Sequence, residues 1–279
     1  MSGATGAATE MVQVGDAGNG ADFTGFGAVK YNYSIGRCEV TIGQYTAFLN
    51  AVSRTDTYGL YNSTMAGDLN VAGITRSGTP GGYSYAPLNN GGDSTNRPVT
   101  YLSWFDAARF ANWMSNVQPT GAQDRTTTED GAYNLAVEPQ RVESTGTGGY
   151  YDFPTRSDIP PGNVIGSSPN QGNYVKSEGK FSVTQQVVAS SSQNYLTDVG
   201  AYTDSASYYG TFDQLGNVYE WNDLTGESAG ARGLRGSCWF GSLVKAYDVS
   251  KLSRGMVPAA YETNSIGFRL AGRYSTIRR

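Results

Sequence analysis

The chain has 279 residues, with 24 acidic and 20 basic side chains and a formal net charge of −4. Because the basic residues are scattered and not clustered, this balance argues against a nucleic-acid-binding protein. The chain contains no histidine, which removes histidine-activated nucleophiles and most catalytic zinc sites. Its 37 glycines and 20 tyrosines, with only 16% charged residues, are typical of a loop-rich protein whose buried aromatic rings hold it together.

The N-terminal stretch is small and polar, and residues 11–14 (MVQV) are its only run with the composition of a strand. We therefore expect an arm or an edge strand over residues 1–22. This stretch has neither the basic nor the apolar region of a secretory signal, and no apolar run in the chain approaches the length of a membrane span. Motifs spread along the chain predict one domain over residues 23–273 and a short basic tail over residues 274–279.

A first helix is predicted to begin after Thr41. Thr41 and Gln44 have the spacing of a capping box, in which each side chain accepts a hydrogen bond from the other residue's backbone N–H. Apolar side chains then recur at helical spacing, which predicts a face that packs into the core: Tyr45, Phe48, Leu49 and Val52.

A second helix repeats the same pattern further along the chain. Ser103 is the expected N-cap, and Asp106 occupies the third helical position, where its carboxylate can complete the cap. The residues that follow on one face are small or apolar, and we interpret them as a second core face and not as a ligand groove: Ala107, Phe110, Ala111 and Met114.

Two long regions, residues 54–96 and 116–210, are rich in Gly, Ser, Thr and Asn and show little periodicity. Unstructured stretches of this length are unusual inside a compact domain. Their many aromatic residues nevertheless predict ordered loops that wrap a small core: Tyr58, Tyr61, Tyr83, Tyr85, Tyr150, Tyr151, Phe153, Tyr174, Phe181, Tyr195, Tyr202, Tyr208 and Tyr209.

The chain has two cysteines, Cys38 and Cys238. One interpretation is a pair of small buried thiols, because unpaired cysteine behaves as a core residue. The other is a disulfide bond between them, and spacing alone does not decide between the two.

Four ordered landmarks identify a family. Residues 35–49 (IGRCEVTIGQYTAFL), 97–108 (RPVTYLSWFDAA), 216–221 (GNVYEW) with 232–239 (RGLRGSCW), and 266–269 (IGFR) resemble, in the same order, segments of the formylglycine-generating enzyme, or sulfatase-modifying factor, family. Short motifs match by chance, but four in the right order are specific. The resemblance implies an α+β fold, an elaborated C-type-lectin-like unit with little regular secondary structure, two main helices and many ordered loops.

The resemblance also indicates that catalysis has been lost. Active members bind copper through two cysteine thiolates, the soft ligand that Cu(I) requires. Counting back without gaps from residues 267–269 places these positions on or near Ala246 and Lys251, which cannot bind copper. A second branch of the superfamily uses histidine-ligated iron, and this chain has no histidine. We therefore expect a pseudoenzyme without copper or iron.

The family's structural calcium site has counterparts here. In the family, a side-chain oxygen, two backbone carbonyls and a glutamate hold the ion. The matching positions are Asp213, Gly216, Val218 and Glu220, with Asp213 in place of the usual asparagine. Hard carboxylate and carbonyl oxygens suit Ca²⁺. The alternative is that Asp213 and Glu220 only cap the turn through hydrogen bonds.

C-type-lectin-like scaffolds display recognition surfaces, including those of phage receptor-binding proteins and of variable proteins whose randomised segment precedes a closing IGFR. Residues 240–265 occupy that place, and we expect Phe240, Tyr247, Met256 and Tyr261 to bind a partner. The alternative is that they are ordinary loop and core residues. That partner is a neighbouring subunit or a host surface protein or glycan, within an oligomer or larger assembly such as a virion. A cytoplasmic binding protein is the alternative location.

An enzyme of the same superfamily that has diverged from it is the alternative function. Such an enzyme would need a perturbed titratable cluster in a cleft. The sequence offers only ordinary carboxylates for it, such as Asp106 and Asp198.

Overall fold

The computed structural model describes residues 8–21, 28–135, 140–141, 151–152, 171–176, 178–225, 230–241 and 254–273. Three α-helices and twelve short strands lie in these ranges. The helices are α1 (Ile42–Val52), α2 (Thr64–Gly67) and α3 (Trp104–Ser115). The strands are β1 (Met11–Val14), β2 (Tyr33–Gly36), β3 (Ile74–Ser77), β4 (Ser84–Pro87), β5 (Tyr133–Asn134), β6 (Gln140–Arg141), β7 (Tyr151–Asp152), β8 (Tyr219–Thr225), β9 (Ala231–Arg235), β10 (Arg254–Pro258), β11 (Ile266–Gly267) and β12 (Ala271–Arg273).

Two four-stranded sheets organise these strands, and the first joins the two ends of the chain. Its order is β1-β2-β12-β7, so the run at residues 11–14 is an edge strand. Ile35 of β2 pairs with Val12 on one side and Ala271 on the other. The second sheet has the order β10-β9-β8-β11. Its β8 and β11 run parallel, with Glu220 opposite Gly267.

Both predicted helices are present, and both begin at the predicted caps. The Thr41 hydroxyl accepts a hydrogen bond from the Gln44 N–H at 3.2 Å, and the Thr41 N–H donates to the Gln44 side chain at 2.9 Å. Ser103 and Asp106 make the equivalent pair at 3.2 and 2.8 Å. Since these bonds satisfy backbone donors that no helical turn can reach, the two boundaries are set locally.

The aromatic faces of α1 and α3 meet in the main core. The Phe48 ring lies 5.3 Å from Phe110 and 5.2 Å from Trp113, measured between centroids. Phe268, from the closing IGFR motif, packs edge-on against Phe110 at 5.3 Å. All the apolar residues predicted for the two faces are buried. The C-terminal motif therefore completes the core that the two helices begin.

The described part of the first long loop region contains a hairpin that the sequence did not predict. β3 and β4 pair antiparallel, with Arg76 opposite Tyr85. The Arg76 guanidinium lies between the rings of Tyr61 and Tyr83, at 4.6 and 4.3 Å from their centroids, and contacts Asp56 at 3.2 Å. These contacts come from three separate segments of the chain. Because β3 is short and weakly periodic, its own sequence does not predict a strand without them.

The outcome for the aromatic residues of the loops is mixed. Tyr61, Tyr85, Tyr174 and Tyr195 are buried, whereas Tyr58 and Tyr208 are exposed. Tyr150, Phe153 and the Tyr151 side chain lie outside the described residues. None of the helices in the described ranges is both long enough and apolar enough to cross a membrane.

Candidate functional site

The turn that leads into β8 is built on backbone with positive φ. Asp213 has a φ of 57°, Gly216 of 97° and Asn217 of 61°. At Gly216, a Cβ would lie 2.6 Å from the Asn173 carbonyl oxygen, so both the conformation and the close approach require glycine. Asp and Asn are the side chains that tolerate this left-handed region best. The sequence of the turn therefore specifies its shape.

Asn217 fixes the turn to two other loops. Its side-chain oxygen accepts hydrogen bonds from the Asn173 amide at 3.0 Å and from the Thr197 N–H at 3.2 Å. Its backbone carbonyl accepts from the Trp239 N–H at 2.9 Å. Because Asn217 is fully buried, these bonds replace those it would make to water. The turn is thereby held rigid between the loops before and after it.

Glu220 and Arg269 form a buried ion pair at the start of β8. The Arg269 Nε donates to both Glu220 carboxylate oxygens at 2.8 Å. The remaining guanidinium nitrogens donate to the carbonyls of Gly36 at 3.2 Å and Phe212 at 2.8 Å. Arg269 thus binds three separate chain segments, and the planar, multiply donating guanidinium is suited to this role.

Two more carboxylates, those of Glu39 and Asp213, lie near this pair. We refer to Glu39, Asp213, Glu220 and Arg269 as the polar centre. Burial raises the pKa of Glu39 well above its ordinary value, and the negative charge of Asp213 adds to the effect. Burial likewise raises the pKa of Asp213 to about 6. The negative charge of Glu220 also raises both pKa values and the positive charge of Arg269 lowers them, so three carboxyl groups share the polar centre with one guanidinium.

Three carboxylate oxygens of the polar centre are buried without a partner elsewhere in the described chain: both oxygens of Glu39 and Oδ1 of Asp213. The other oxygen of Asp213 accepts a hydrogen bond from the Gly200 N–H. Glu39 lies in the EVT motif, but nothing in the sequence showed that it would be buried beside Asp213. Unpartnered buried oxygens carry a large desolvation cost, and a cation among them would reduce it.

The predicted calcium site fits this arrangement in part. The unpartnered oxygen of Asp213 is available as a ligand, and Gly216 and Val218 lie in the same turn. The Glu220 carboxylate, by contrast, is bound on both oxygens by Arg269. Within the described residues, no three Cys, Asp or Glu side chains are grouped as a metal site. A calcium ion here would therefore need backbone carbonyls as its other ligands, as the family resemblance implies. The calcium site stays a prediction.

A cavity of about 510 Å³ opens beside the polar centre. Arg37, Cys38, Glu39 and Phe212 are among the residues that line it. Burial, followed by the charge of Glu39, raises the pKa of Cys38 to about 12. A thiol with that pKa is protonated near neutral pH and is a poor nucleophile. Cys38 and Cys238 form no disulfide bond, and Cys38 is only partly buried.

Of the two ordinary carboxylates considered for catalysis, one is buried and the other is exposed. Asp106 is buried in the cap of α3, where it accepts hydrogen bonds from the Ser103 N–H at 2.8 Å and hydroxyl at 2.6 Å. Burial raises the pKa of Asp106 to about 7. Asp198 is exposed on a loop. Asp106 therefore serves a structural cap, and its raised pKa has a structural cause.

One of the predicted contact residues, Phe240, packs against a buried tryptophan. Trp239 stacks on Tyr195 with ring centroids 4.9 Å apart and planes at 12°, and its indole N–H donates to the Asn264 carbonyl at 3.2 Å. Phe240 lies edge-on to Trp239 at 4.9 Å. Trp239 is thus part of the framework, and Phe240 is held on its outer side.

Three of the four predicted contact residues are exposed. Phe240, Met256 and Tyr261 expose 44%, 49% and 48% of their surface. Met256 lies on the edge strand β10, and the Tyr261 N–H donates to the Pro258 carbonyl just after that strand. We call Phe240, Met256 and Tyr261 the recognition surface. Tyr247, together with Ala246 and Lys251, lies outside the described residues.

A polar contact that the sequence analysis missed lies next to the recognition surface. Tyr101 has a φ of 59°, which is strained for a bulky side chain. Its hydroxyl donates to Asp68 at 2.7 Å, and the Asn264 side chain donates to the same carboxylate oxygen at 3.0 Å. Only the tertiary fold brings Asp68 and Asn264 together, since they lie 196 positions apart.

Two solved structures align with this chain at the same TM-score of 0.50. The structure of CarF aligns with a TM-score of 0.50 and 19% identity, over 96% of this chain and 99% of that one. Treponema denticola variable protein 1 aligns with a TM-score of 0.50 and 17% identity, over 95% of both chains. The structure of PvdO from Pseudomonas aeruginosa gives a TM-score of 0.49 and 15% identity, over 96% of this chain and 92% of that one.

At the level of sequence, no curated protein matches the chain significantly. The model of the sulfatase-modifying factor enzyme 1-like domain matches residues 8–274. That range contains every described element, from β1 to β12, and all the landmark motifs. The family resemblance and the α+β fold inferred from those motifs are therefore confirmed, and this protein belongs to the sulfatase-modifying factor (formylglycine-generating enzyme) family.

Proposed function

We propose that this protein is a non-catalytic recognition or structural module, displayed on a multimeric assembly such as a virion. The observation that carries the proposal is the recognition surface, whose three large apolar side chains are exposed, with Phe240 packed edge-on against the buried Trp239. Exposed aromatic side chains on a preorganised framework are typical of binding sites, because little conformational freedom is lost on contact. The proposed partner is a neighbouring subunit, or a protein or glycan on a host surface.

The chemistry of the chain supports the non-catalytic half of the proposal. The positions of the copper-binding cysteines fall on or near Ala246 and Lys251, and neither side chain provides a thiolate. Of the two cysteines that the chain has, Cys38 carries a thiol that stays protonated near neutral pH because burial raises its pKa to about 12. The alternative is a divergent oxidase or other enzyme of the superfamily, and the observation in its favour is the cavity lined by Cys38 and Glu39, whose pKa values burial raises. The protonated thiol there is a poor nucleophile, so we favour the non-catalytic proposal.

A binding experiment tests the recognition surface. Phe240→Ala, Met256→Ala and Tyr261→Ala are compared with the wild type on a glycan array and against the purified wild-type chain. We expect each variant to keep its melting temperature and to lose at least about tenfold in affinity for whichever probe binds. Val117→Ala removes an exposed apolar side chain near the end of α3 and is the control. Binding by all three variants at wild-type strength would rule out this surface.

A separate assay tests the absence of catalysis. The protein is incubated with Cu(I), oxygen and a Cys-x-Pro-x-Arg peptide, and the peptide is followed by mass spectrometry. We expect its mass to stay unchanged, because the chain lacks the thiolate pair that binds copper in active members. Conversion of the peptide cysteine to formylglycine would overturn the non-catalytic proposal and favour the enzyme.

A further inference from the structure

Three segments of the chain enclose the cavity beside the polar centre. The N-terminal arm supplies residues 8–10, the segment before α1 supplies residues 37–39, and a third wall includes Gly200 and Phe212. Hydrogen bonds join these walls, since the Gln44 side chain donates to the Ala8 carbonyl at 2.5 Å and the Phe212 N–H donates to the Arg37 carbonyl at 2.8 Å. With a volume of about 510 Å³, the cavity is large enough for a small organic molecule.

Glu39 is a lining residue whose carboxylate has no hydrogen-bond partner. The residue is only 2% exposed, and neither of its carboxylate oxygens accepts a hydrogen bond from the described part of the chain. Burial without partners is unfavourable for a carboxylate, because the water that would solvate it is removed. A ligand that brings hydrogen-bond donors to Glu39 would recover this loss.

Asp213 lies directly behind the third wall. It follows Phe212 in the chain, and its Oδ2 accepts a hydrogen bond from the Gly200 N–H, so it is joined to two lining residues. Its Oδ1 is buried and also has no partner among the described residues. The charge of Asp213 acts on the Glu39 carboxylate, as expected of neighbouring groups. Three unpartnered oxygens therefore lie together beside the cavity.

The arginines near these oxygens are engaged elsewhere. Arg37, which lines the cavity, contacts the exposed carboxylate of Glu10 at 2.6 Å. Arg269 donates to both oxygens of Glu220 at 2.8 Å. Neither guanidinium donates a hydrogen bond to Glu39. Since the carboxylates outnumber the positive charges beside them, the cavity favours a ligand that is itself positively charged.

The number of oxygens indicates which kind of cation fits. A metal ion needs several protein ligands, and no three Cys, Asp or Glu side chains in the described ranges are grouped to provide them. A primary ammonium group has three N–H donors, one for each unpartnered oxygen. The remaining volume of the cavity accommodates an organic chain attached to the nitrogen.

We propose that this cavity binds a small organic molecule through its primary ammonium group, with both oxygens of Glu39 and Oδ1 of Asp213 as the hydrogen-bond acceptors. The residues that line the cavity are different from those of the recognition surface. The proposal therefore assigns a small-molecule site in addition to the surface that contacts a partner.

Calorimetric titration with butylammonium tests this site, and butanol is the uncharged probe with the same chain length. EGTA is present, because calcium predicted at Asp213 would compete. We expect the wild type to bind butylammonium at least about tenfold more tightly than butanol, and Glu39→Gln to lose this preference. Glu10→Gln removes an exposed carboxylate that lines the same cavity and should bind like the wild type.

Cys38 provides a second measurement that needs no variant. Cys38 lines the cavity and is partly buried, whereas Cys238 is fully buried. Saturating butylammonium should slow the alkylation of Cys38 by iodoacetamide, followed by mass spectrometry, and butanol at the same concentration should not. This measurement decides the question even if Glu39→Gln does not fold. The proposal is overturned if the wild type shows no preference for butylammonium, if folded Glu39→Gln binds it equally well, or if Cys38 reacts at the same rate in its presence.

Discussion

The polar centre and the recognition surface lie at opposite extremes of burial, although family motifs flank both. Glu220 and Arg269 are buried charged residues whose bonds join three chain segments. Phe240, Met256 and Tyr261 are apolar and exposed. The usual relation between polarity and burial is thus inverted in both regions, and each inversion has its own physical reason.

In the polar centre, the charged Arg269 is buried because its guanidinium can donate hydrogen bonds to carbonyls and a carboxylate at once, which an apolar side chain cannot do. On the recognition surface, Phe240 is external because the core beneath it is already filled by Trp239, which stacks on Tyr195. The comparison shows that the GNVYEW and IGFR motifs maintain the fold. Among the described residues between the motifs, Phe240, Met256 and Tyr261 are exposed.

The largest expected effect comes from breaking the polar centre. Arg269→Met should lower the free energy of unfolding by about 3 to 5 kcal/mol, because Glu220 would be left as an unpaired buried charge. Chemical denaturation measures this difference. Arg125→Met removes an exposed arginine that contacts Asp130 at 3.2 Å and should cost under about 1 kcal/mol. Equal losses of stability in the two variants would mean that the buried ion pair contributes no more than the exposed one.

Adjacent aromatic residues test the boundary between framework and surface. Trp239→Ala should cost about 3 to 5 kcal/mol of stability, because a large buried ring is removed. Phe240→Ala, one position further, should cost under about 1 kcal/mol, since exposed positions are usually tolerant. Thermal and chemical denaturation of both variants check the contrast. If Phe240→Ala unfolds as readily as Trp239→Ala, Phe240 belongs to the core.

Chelation tests whether the polar centre includes calcium. A cation bound only to the folded state stabilises it by about 2.7 kcal/mol at a hundredfold excess over Kd. We expect the chelator EGTA to lower the melting temperature of the wild type and to leave that of Asp213→Ala unchanged. Asp198→Ala, at an exposed carboxylate, should respond to EGTA like the wild type. If EGTA leaves the wild-type melting temperature unchanged, the site binds no calcium and Asp213 only caps the turn.

The smallest expected effect is a pH dependence at the α3 cap. Burial raises the pKa of Asp106 from 3.8 to about 7 in the folded state, so the folded protein holds its proton more tightly than the unfolded chain. This contribution is fully present below the unfolded pKa and is lost as the pH rises through the folded pKa. Asp106→Asn should remove at least about 1.4 kcal/mol of the fall in stability between about pH 4 and pH 8.

The comparison is between the stability–pH curves of the wild type and Asp106→Asn. Asp213 and Glu39 also have raised pKa values and should change the stability of both proteins in the same direction. Denaturation at several pH values gives the two curves. Parallel curves for the wild type and Asp106→Asn would show that Asp106 does not titrate in this range.

Several features of the fold were predictable from the sequence because they depend on neighbouring residues. The capping boxes at Thr41 and Ser103 each need two side chains three positions apart, and the helices begin where these pairs predict. The apolar faces of α1 and α3 follow from helical spacing. Family motifs added the α+β class, because their order along the chain is specific.

The candidate site was only partly predictable. The sequence proposed Asp213 and Glu220 as calcium ligands and Phe240, Tyr247, Met256 and Tyr261 as contact residues, and these roles stay predictions. It gave no indication that Arg269 would bind Glu220 on both oxygens, or that Glu39 would be buried near Asp213. Such contacts join residues far apart in the chain, and no local pattern encodes them.

By itself, the sequence determined where the helices begin, which of their faces are buried and where the left-handed turn at Gly216 lies, since steric limits and short-range hydrogen bonds act between residues close in the chain. Only the tertiary structure decided that Trp239 is internal and Phe240 external, and that three carboxyl groups share the interior with Arg269. These outcomes depend on which distant segments pack together, because burial and electrostatic environment are properties of the assembled fold.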